Sequence, residues 1–511
     1  MSIVLCLPIK APVPSLHDNT ADIDRLKRLA QEQREGRTVV VPWRRAGTVA
    51  RSFREAGFVG AAIINQVEGR DELVDFLPAV PSLLPALALD LGTTYLEARL
   101  VDLLTGRSLA HGHCPNGQID CGDDILTRIH YAGRGAGLAE LKRVVVRSIN
   151  ELTEQLSAQA GVAAVEVRAM TVSGNPTMVH LFLGLDPHHI CREPYIPLVN
   201  APDMVQAHEL GLVINPEAPV FILPGVGSYF GGDLISGILA SGLDQQEHTS
   251  MLVDVGTNAE VVLGNREWLI ACAGAAGPAL EGGVARMGMR AGPGAIEHIS
   301  IDPESHSVVW QTIGNRPPCG LCGSGIIDLV AALYLVRIID QRGKFRVGAD
   351  PGRLFDSGHG LAYVVVSAEQ AEGGRPVILE QVDLDALMRS KAAMYAILST
   401  LVAQVGVGFG EIRRIYVAGA FGRHIDPRQA ITLGMLPDLP LDVYQPIGNS
   451  SLAGAEKVLL DDDARLRCRQ IMQTITYVEL NVNQEFMMRF SGAKFIPHTN
   501  HGLFPSVPVF G

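Results

Sequence analysis

The chain has 511 residues, of which 47% are hydrophobic, and a formal net charge of −12. That length allows about two to four domains with buried cores, and the acidic balance argues against nucleic acid or an anionic membrane as the main partner. No apolar run reaches the roughly 18 residues of a membrane-spanning helix, Met1 opens no secretory signal, and the 8 cysteines are scattered along the chain. These features predict a cytoplasmic protein with reduced thiols.

Residues 1–86 are predicted to form a small α+β domain at the start of the chain. Three short apolar runs, VLCLPI, TVVVP and FVGAAIINQ, are typical of strands. Apolar residues at helical spacing predict helices over 22–33 and 48–56. The proline-bearing segment PAVPSLLP closes the domain.

Part of this domain is unusually basic for an acidic protein. Between Arg25 and Arg54 it carries nine basic residues against Glu32 and Glu35. This basic cluster favours either solvated helix faces or a docking face for an acidic partner. The sequence leaves both interpretations open.

Two later passages repeat one pattern: LALDLGTTYLEARLVDLLTGRSLAHG from residue 87 and MLVDVGTNAEVVLGNREWLIACAG from residue 251. Each apolar run ends in an aspartate, Asp90 or Asp254, and a short glycine-bearing turn follows. Such a turn can direct backbone N–H groups at an anion, because glycine lets the main chain approach closely. The predicted phosphate-binding residues are Gly92, Thr93, Thr94, Gly256, Thr257 and Asn258. The aspartates suit Mg²⁺ held through water, so two such loops facing each other across a cleft predict a clamp for Mg-ATP, with neither a Rossmann nor a Walker fingerprint present.

The repeat divides the remaining chain into two predicted lobes, residues 87–247 and residues 248–490. Apolar periodicity predicts long helices over 138–160 in the first lobe and 383–404 in the second. Residues 491–511 contain proline and glycine without periodicity, which predicts an extended C-terminal tail.

The tripeptide Gly231-Gly232-Asp233 stands at the start of a predicted helix. A carboxylate there can orient an attacking water or hydroxyl beside a γ-phosphate, which makes Asp233 a candidate catalytic residue. Its alternative role is a helix N-cap. A second helix start contains Asp123 and Asp124, of which Asp123 is the expected cap.

Two glycine-rich segments are candidates for nucleoside binding. The predicted strand–turn–helix over 415–430 places Gly419 and Gly422 where an adenine or ribose can approach the main chain. In the other segment Glu281 and Gly282 lie together, and the carboxylate can accept a hydrogen bond from a ribose hydroxyl. Alternatively, Glu281 complements a helix dipole.

The cysteines give little support for a metal centre. Cys319 and Cys322 form the only C-x-x-C motif, and a single pair lacks the ligands of a closed zinc or iron–sulfur site. Cys114 and Cys121 could complete a set of four only if distant segments met. The sequence therefore predicts no iron–sulfur cluster.

Eight motifs occur in order along most of the chain: VSGNPTMVHLFLGLDP, LPGVGSYFGGDLISGIL, LVDVGTNAEVVLGN, AAGPALEGG, GMRAGPGAIE, CGSGIIDLV, YVAGAFGRHIDP and PIGNSSLAGA. Together with the phosphate hairpins they resemble the ATP-dependent reductive activators of corrinoid proteins, within the superfamily of actin, sugar kinases, acetate kinases and heat-shock chaperone ATPases. The resemblance implies an α/β, two-lobed actin-like ATPase fold with duplicated ribonuclease-H-like lobes. It also implies ATP-driven return of an inactive Co(II) corrinoid to Co(I) on a corrinoid protein or corrinoid methyltransferase.

The same resemblance implies contacts with ATP or its Mg²⁺ for these residues: Thr93, Thr94, Asp254, Gly256, Thr257, Asn258, Gly419 and Gly422. Asp233 falls where the sugar-kinase branch keeps a catalytic carboxylate. The segment LPIKAPVPSLHDNTADIDRL resembles the opening of the family's middle domain, which implies a middle-type domain over residues 1–86.

The chain departs from the family pattern before Asp90, where Cys6 is the only cysteine. A plant-type ferredoxin domain needs the spacing C-x₄-C-x₂-C…C. The resemblance therefore implies an external low-potential electron donor, a ferredoxin or flavodoxin. Smaller departures are Pro176 and Cys319, and a homodimer is an open alternative.

Two other functions fit the same residues. One is a small-molecule kinase that uses Asp233 as its base, although the apolar region over 162–174 offers no polar sugar-binding loop. The other is a nucleotide-dependent binding module without redox or transfer chemistry, which the missing cluster ligands favour.

Overall fold

The computed structural model describes residues 1–34, 36–67, 69–256, 258–275, 285–289, 291–480 and 483–510. Contacts between Cα atoms divide the chain into two compact units. The first unit is Met1–Ala240 with Ser451–Gln473, and the second is Ser241–Ser450 with Thr474–Gly511. Among the described helices, none combines the length and apolar character needed to cross a membrane.

The first unit begins with a four-stranded sheet in the order β1-β3-β4-β2. Its elements are β1 (Val4–Lys10), α1 (Asp22–Gln33), β2 (Val39–Val40), α2 (Trp43–Glu55), β3 (Val59–Val67) and β4 (Arg70–Leu77). Helix α1 has the predicted bounds because Leu26 and Ala30, one turn apart, are buried in the core of this sheet. Strand β4 was not predicted, since Asp71 and Glu72 interrupt its apolar pattern although both are buried.

Most residues of the basic cluster form ion pairs inside the first unit. Six of its arginines pair with carboxylates: Arg25 with Asp18, Arg34 and Arg37 with Asp71, Arg44 with Glu217, Arg45 with Asp75, and Arg54 with Asp22. Arg25 and Arg34 are buried. Arg25 and Arg34 are therefore structural, whereas Arg37, Arg44 and Arg54 are paired but exposed, so both interpretations stay open for the exposed arginines. The pairs join α1 and α2 to the sheet and to the neighbouring part of the unit.

A six-stranded sheet follows in the first unit, in the order β7-β6-β5-β8-β10-β9. Its strands are β5 (Pro85–Leu91), β6 (Tyr95–Asp102), β7 (Ser108–Pro115), β8 (Met170–Gly174), β9 (Val205–Gln206) and β10 (Pro219–Ile222). Strands β5, β6 and β7 form an antiparallel meander, and β8 and β10 run parallel to β5.

The α-helices described between residues 125 and 241 are α3 (Ile125–Ala132), α4 (Gly137–Ala160), α5 (Pro176–Leu183), α6 (Ala207–Leu210) and α7 (Gly232–Ser241). The prediction of a long helix over 138–160 is confirmed by α4. The expected cap of α3 is wrong: Asp124, not Asp123, accepts the hydrogen bond from Thr127 N at 2.7 Å. Leu126 is exposed on this helix, whereas Ile129 is buried.

The second unit contains a six-stranded sheet in the order β21-β20-β11-β12-β13-β22 and two three-stranded sheets. The remaining strands of the chain are β11 (Ser250–Val255), β12 (Asn258–Gly264), β13 (Leu269–Ala275), β14 (Ala295–Ile301), β15 (Val308–Thr312), β16 (Gly320–Leu321), β17 (Leu354–Asp356), β18 (Leu361–Val366), β19 (Val377–Glu380), β20 (Arg414–Ala418), β21 (Tyr444–Gly448) and β22 (Ile475–Tyr477). The remaining helices are α8 (Gly323–Leu335), α9 (Gln381–Gln404), α10 (Gly419–His424), α11 (Pro427–Leu433), α12 (Ser450–Leu460), α13 (Asp462–Thr474) and α14 (Gln484–Ala493).

The two six-stranded sheets repeat one topology. In the second, β11, β12 and β13 form an antiparallel meander, and β20 and β21 run parallel to β11. This is the arrangement of β5, β6, β7, β8 and β10 in the first sheet. The sequence repeat around Asp90 and Asp254 therefore reflects a duplicated fold.

Residues 451–473 were assigned from the sequence to the lobe 248–490, but they pack in the first unit. Thr171 on β8 donates from Oγ1 to the carbonyl of Ala455 in α12 at 2.8 Å. From α13, Arg465 donates from Nη2 to the carbonyl of Met1 at 3.2 Å. These partners lie hundreds of residues away in sequence, so local pattern does not reveal this packing.

The C-terminal tail is largely non-helical after α14, with one short turn at His501–Leu503. It is nonetheless packed, since Ile496 and Phe504 are buried. The fully buried Lys391 of α9 donates from Nζ to the carbonyls of Phe495 at 2.6 Å and Pro497 at 2.7 Å. The tail is therefore part of the second unit's core.

Candidate functional site

In the first unit the candidate residues gather at the carboxyl ends of parallel strands. Asp90 lies near the end of β5, beside Ser173 of β8 in the sheet register. The turn to α5 follows β8, and the turn to α7 follows β10. In open α/β sheets this edge is where ligands bind, because the strand ends leave a crevice between diverging turns.

Side-chain amides hold the turn Gly92-Thr93-Thr94. Asn116 donates from Nδ2 to the carbonyl of Gly92 at 2.9 Å, and its backbone N–H donates to the carbonyl of Thr94 at 2.8 Å. Asn175 donates from Nδ2 to Thr93 Oγ1 at 3.1 Å. The turn is therefore fixed by two asparagines that the sequence analysis did not select.

The sequence contains a signal for Asn175, because an asparagine followed by a proline is typical of the start of a helix. Asn175 caps α5 by accepting from Met178 N at 2.9 Å, and Pro176 occupies the first helical position. Proline is tolerated there because its missing N–H would have no partner inside the helix. The departure at Pro176 therefore leaves the helix intact.

Asp233 lies in the first turn of α7, which begins at Gly232. A Cβ atom at Gly231 would lie 2.3 Å from the carbonyl oxygen of Gly174 and 2.7 Å from Asp233 Oδ1. Only glycine permits this approach, so the tripeptide brings the carboxylate against the end of β8. Leu234 N donates to Asp233 Oδ1 at 2.9 Å, which is a local contact inside the helix and not the N-cap arrangement.

The second unit repeats this arrangement on its own sheet. Asp254 lies near the end of β11, paired in register with Ala418 of β20. Val255 pairs with Ala259, which closes the turn that contains Gly256. Both Asp90 and Asp254 are half-buried.

Glycine is required for different structural reasons at the two positions of the predicted nucleoside turn. Gly419, at the start of α10, has φ of +75°, and a Cβ atom there would lie 3.1 Å from Asp254 Oδ1. A Cβ atom at Gly422 would lie 2.1 Å from the carbonyl oxygen of Val417. Packing of α10 on β20 therefore accounts for Gly422 without a ligand, whereas Gly419 faces the candidate carboxylate.

Three of the selected residues, Thr257, Glu281 and Gly282, lie outside the described residues. Asn258 begins β12. The roles of Thr257, Glu281 and Gly282 therefore stay predictions.

The two cysteines of the C-x-x-C motif have separate surroundings. Cys322 is buried, with Sγ 3.2 Å from the carbonyl oxygen of Ile296. Cys319 Sγ lies 3.5 Å from Met289 Sδ, and burial raises the pKa of its thiol. Within the described part of the chain, no three His, Cys, Asp or Glu side chains converge on a metal position.

Comparison with known proteins matches residues 248–508 to the family model for the C-terminal domain of RACo, the ASKHA domain. Residues 85–246 match the model for the RACo middle region. The corrinoid activation enzyme RamQ of Eubacterium limosum is 30% identical over 479 residues, which cover 92% of this chain and 79% of that protein. The chain belongs to the family of reductive activators of corrinoid proteins.

Two further relatives agree with this membership. A reductive activator for a corrinoid, iron–sulfur protein has a solved structure with a TM-score of 0.91 and 38% identity, covering 99% of this chain and 81% of that one. A reductase of a Co(II) methylated amine-specific corrinoid protein from Methanosarcina barkeri is 24% identical over 398 residues, covering 73% of this chain and 70% of that one. The expected actin-like ATPase fold is thereby confirmed.

Membership in the activator family also locates its middle region. Residues 1–86 were expected to be the middle-type domain, but the family model for the middle region matches 85–246, which contain β5–β10. The segment LPIKAPVPSLHDNTADIDRL, which suggested residues 1–86, runs from β1 into α1 and lies outside the matched range.

Proposed function

We propose that the chain binds and hydrolyses Mg-ATP to drive one-electron reduction of an inactive Co(II) corrinoid to Co(I) on a partner protein. The names of its relatives support this proposal, since one is a corrinoid activation enzyme and another reduces a Co(II) corrinoid protein. ATP and water become ADP and phosphate, while the electron comes from a separate low-potential donor, a ferredoxin or flavodoxin. The partner is a corrinoid protein or corrinoid methyltransferase.

The observation that carries the proposal is the equivalent placement of Asp90 and Asp254 at the ends of corresponding strands. Magnesium in nucleotide sites takes one or two carboxylates, with waters and phosphate oxygens as its other ligands. Each unit presents one such carboxylate at a strand end. When bound, Mg²⁺ neutralises the charge that develops on the phosphates.

Each candidate residue has a role in this proposal. Asp90 and Asp254 hold Mg²⁺ through water, and Asp233 orients the attacking water. The residues that contact the nucleotide are Gly92, Thr93, Thr94, Gly256, Thr257, Asn258, Glu281, Gly282, Gly419 and Gly422. Gly419 is the best supported of the nucleoside contacts, because no side chain at that position covers the backbone beside Asp254.

The test uses the full chain purified anaerobically, a Co(II) corrinoid protein and a reduced low-potential ferredoxin or flavodoxin. The visible spectrum should show Co(I) only when ATP and the donor are both present, and a non-hydrolysable ATP analogue should not replace ATP. Co(I) formation at the same rate without ATP would overturn the proposal. The preparation should be colourless, and stoichiometric iron would contradict the need for an external donor.

The same mixtures distinguish the two rival functions. ATP-dependent phosphorylation of a small molecule without any corrinoid protein would identify a kinase. ATP-dependent binding of the corrinoid protein with no Co(I) formed from an active donor would identify a binding module.

A further inference from the structure

A chain of three serine hydroxyls ends on Asp90 in the first unit. Ser451 Oγ lies 2.7 Å from Asp90 Oδ1, and Ser173 Oγ lies 2.8 Å from both Ser451 Oγ and Ser236 Oγ. Ser173 and Ser236 are completely buried and Ser451 is 7% exposed. The serines belong to β8, α7 and α12, so the chain joins three elements to one carboxylate.

The direction of this serine chain follows from the number of protons available. An ionised carboxylate only accepts, so Ser451 donates its single hydroxyl proton to Asp90. Ser451 must then accept from Ser173, and Ser173 must accept from Ser236. All three hydroxyl dipoles therefore point toward the carboxylate. Hydrogen bonds aligned in this way strengthen one another in a buried environment.

The backbone around the serine chain leaves little room for rearrangement. A Cβ atom at Gly454 of α12 would lie 2.3 Å from the Cα atom of Ser236 on α7. Lys457 of α12 donates from Nζ to the carbonyl of Leu239 at 2.8 Å. Helix α12 is therefore held against α7 next to the hydroxyls, which fixes Ser451 with respect to Asp90.

We propose that Ser451 is a positioning residue for Asp90, and that the chain Ser236–Ser173–Ser451 holds the carboxylate in the orientation in which it binds Mg²⁺ through water. This inference rests on the proposed function, because it assigns Asp90 to the metal. It assigns a role in metal binding to three further residues, one of which lies on α12. Loss of the Ser451 hydroxyl should weaken the response to Mg²⁺ and leave the overall fold intact.

The experiment measures ATP binding by the full chain in titrations at several MgCl₂ concentrations. Ser451→Ala should raise the Mg²⁺ concentration for half-maximal ATP binding about tenfold, the effect of losing one hydrogen bond to a charged group. Ser236→Ala, two hydroxyls further away, should raise it about two- to threefold. Ser451→Thr retains the hydroxyl and should restore the wild-type dependence.

Ser450→Ala is the matched control, because the neighbouring hydroxyl is buried but has no hydrogen-bond partner in the described part of the chain. A merely structural role would lower the melting temperature of Ser451→Ala without changing its Mg²⁺ dependence, and that result would overturn the inference. The variant Asp90→Asn separates the positioning role of Ser451 from the metal-binding role of Asp90. If Asp90→Asn changes the Mg²⁺ dependence and Ser451→Ala does not, only the positioning role fails, whereas no change with Asp90→Asn contradicts the proposed role of Asp90 itself.

Discussion

Gly419 and Asp254 approach each other so closely that a Cβ atom on Gly419 would lie 3.1 Å from Asp254 Oδ1. The approach arises because α10 begins directly after β20, the parallel neighbour of β11, and Gly419 adopts φ of +75° to make the turn. A side chain at the start of α10 would therefore contact the candidate metal carboxylate.

The first prediction concerns this contact. Gly419→Ala should weaken ATP binding about tenfold or more, because the added methyl group crowds Asp254 and covers the exposed backbone. Gly406→Ala is the control, since Gly406 has φ of +66° with no atom within 4 Å of an added Cβ. Both variants should lose about 1 kcal/mol of unfolding free energy from the left-handed conformation. Equal ATP affinities in the two variants would show that Gly419 is needed only for the turn.

The second prediction tests Asp254 directly. Asp254→Ala should slow ATP hydrolysis by about 10²-fold or more while the protein stays folded, since losing a metal-positioning carboxylate costs about 3 kcal/mol or more of transition-state stabilisation. Steady-state phosphate release and circular dichroism measure the two effects. The exposed Glu267→Ala should hydrolyse ATP as the wild type does. Wild-type turnover in Asp254→Ala would remove Asp254 from the catalytic residues.

The third prediction separates binding from hydrolysis at Asp233. Asp233→Asn should bind ATP normally and hydrolyse it about 10²- to 10⁴-fold more slowly, because the amide cannot accept a proton from water. Its oxygen can still accept the hydrogen bond from Leu234 N, so the start of α7 should be preserved. Asp203→Asn, at an exposed loop position, is the matched control. Weaker binding with an unchanged rate for bound ATP would make Asp233 a structural residue.

Features of the site that follow from a short stretch of sequence were predicted. Asp90 and Asp254 were found because alternation, an aspartate and a glycine turn recur within a few residues of each other. The contact between Ser451 and Asp90 was missed because 361 residues separate them, and no local signal marks a serine in a helix start as the partner of a distant carboxylate. The same distance in sequence concealed the packing of 451–473 in the first unit.

The pattern of charged residues in the sequence did not predict which of them are buried. The basic cluster was interpreted as a surface, but Arg34 donates from Nε to the buried Asp71 at 2.6 Å. Asp71 belongs to β4, the strand that the sequence analysis missed, so the partner of the arginine was not visible. A charged side chain in sequence does not reveal whether its counter-ion lies on an adjacent strand.

The fourth prediction follows from this buried pair. Asp71→Asn should lower the unfolding free energy by about 3–5 kcal/mol, because Arg34 and Arg37 both pair with Asp71 and Arg34 would remain buried without a counter-ion. Glu247→Gln, which breaks an exposed pair with Arg266, should cost less than about 1 kcal/mol. Denaturant unfolding followed by fluorescence compares the two. Similar losses in both variants would contradict a structural role for the pairing of Arg34 with Asp71.

The fifth prediction concerns the C-terminal tail and pH. Burial, with the nearby charges of Lys391 and His501, lowers the pKa of His498 to about 4. Its Nδ1 accepts a hydrogen bond from Asn500 N at 2.9 Å, an interaction that protonation removes. When the tail is released, His498 returns toward its ordinary pKa of about 6.5, so the released state binds more protons between these two values. The contribution of His498 to tail docking should therefore be complete above pH 6.5 and should disappear as the pH falls toward 4.

The variant His498→Asn isolates this effect from the many carboxylates that titrate in the same range. An asparagine side chain can accept from the N–H two residues later, as His498 does, but cannot be protonated. Amide hydrogen exchange of the tail, corrected for intrinsic rates, should lose protection between pH 6.5 and 4 in the wild type and less steeply in His498→Asn. His359→Asn, at an exposed position, should behave as the wild type. If wild type and His498→Asn lose protection in parallel, other groups control the docking of the tail, and the neutral state of His498 has no part in it.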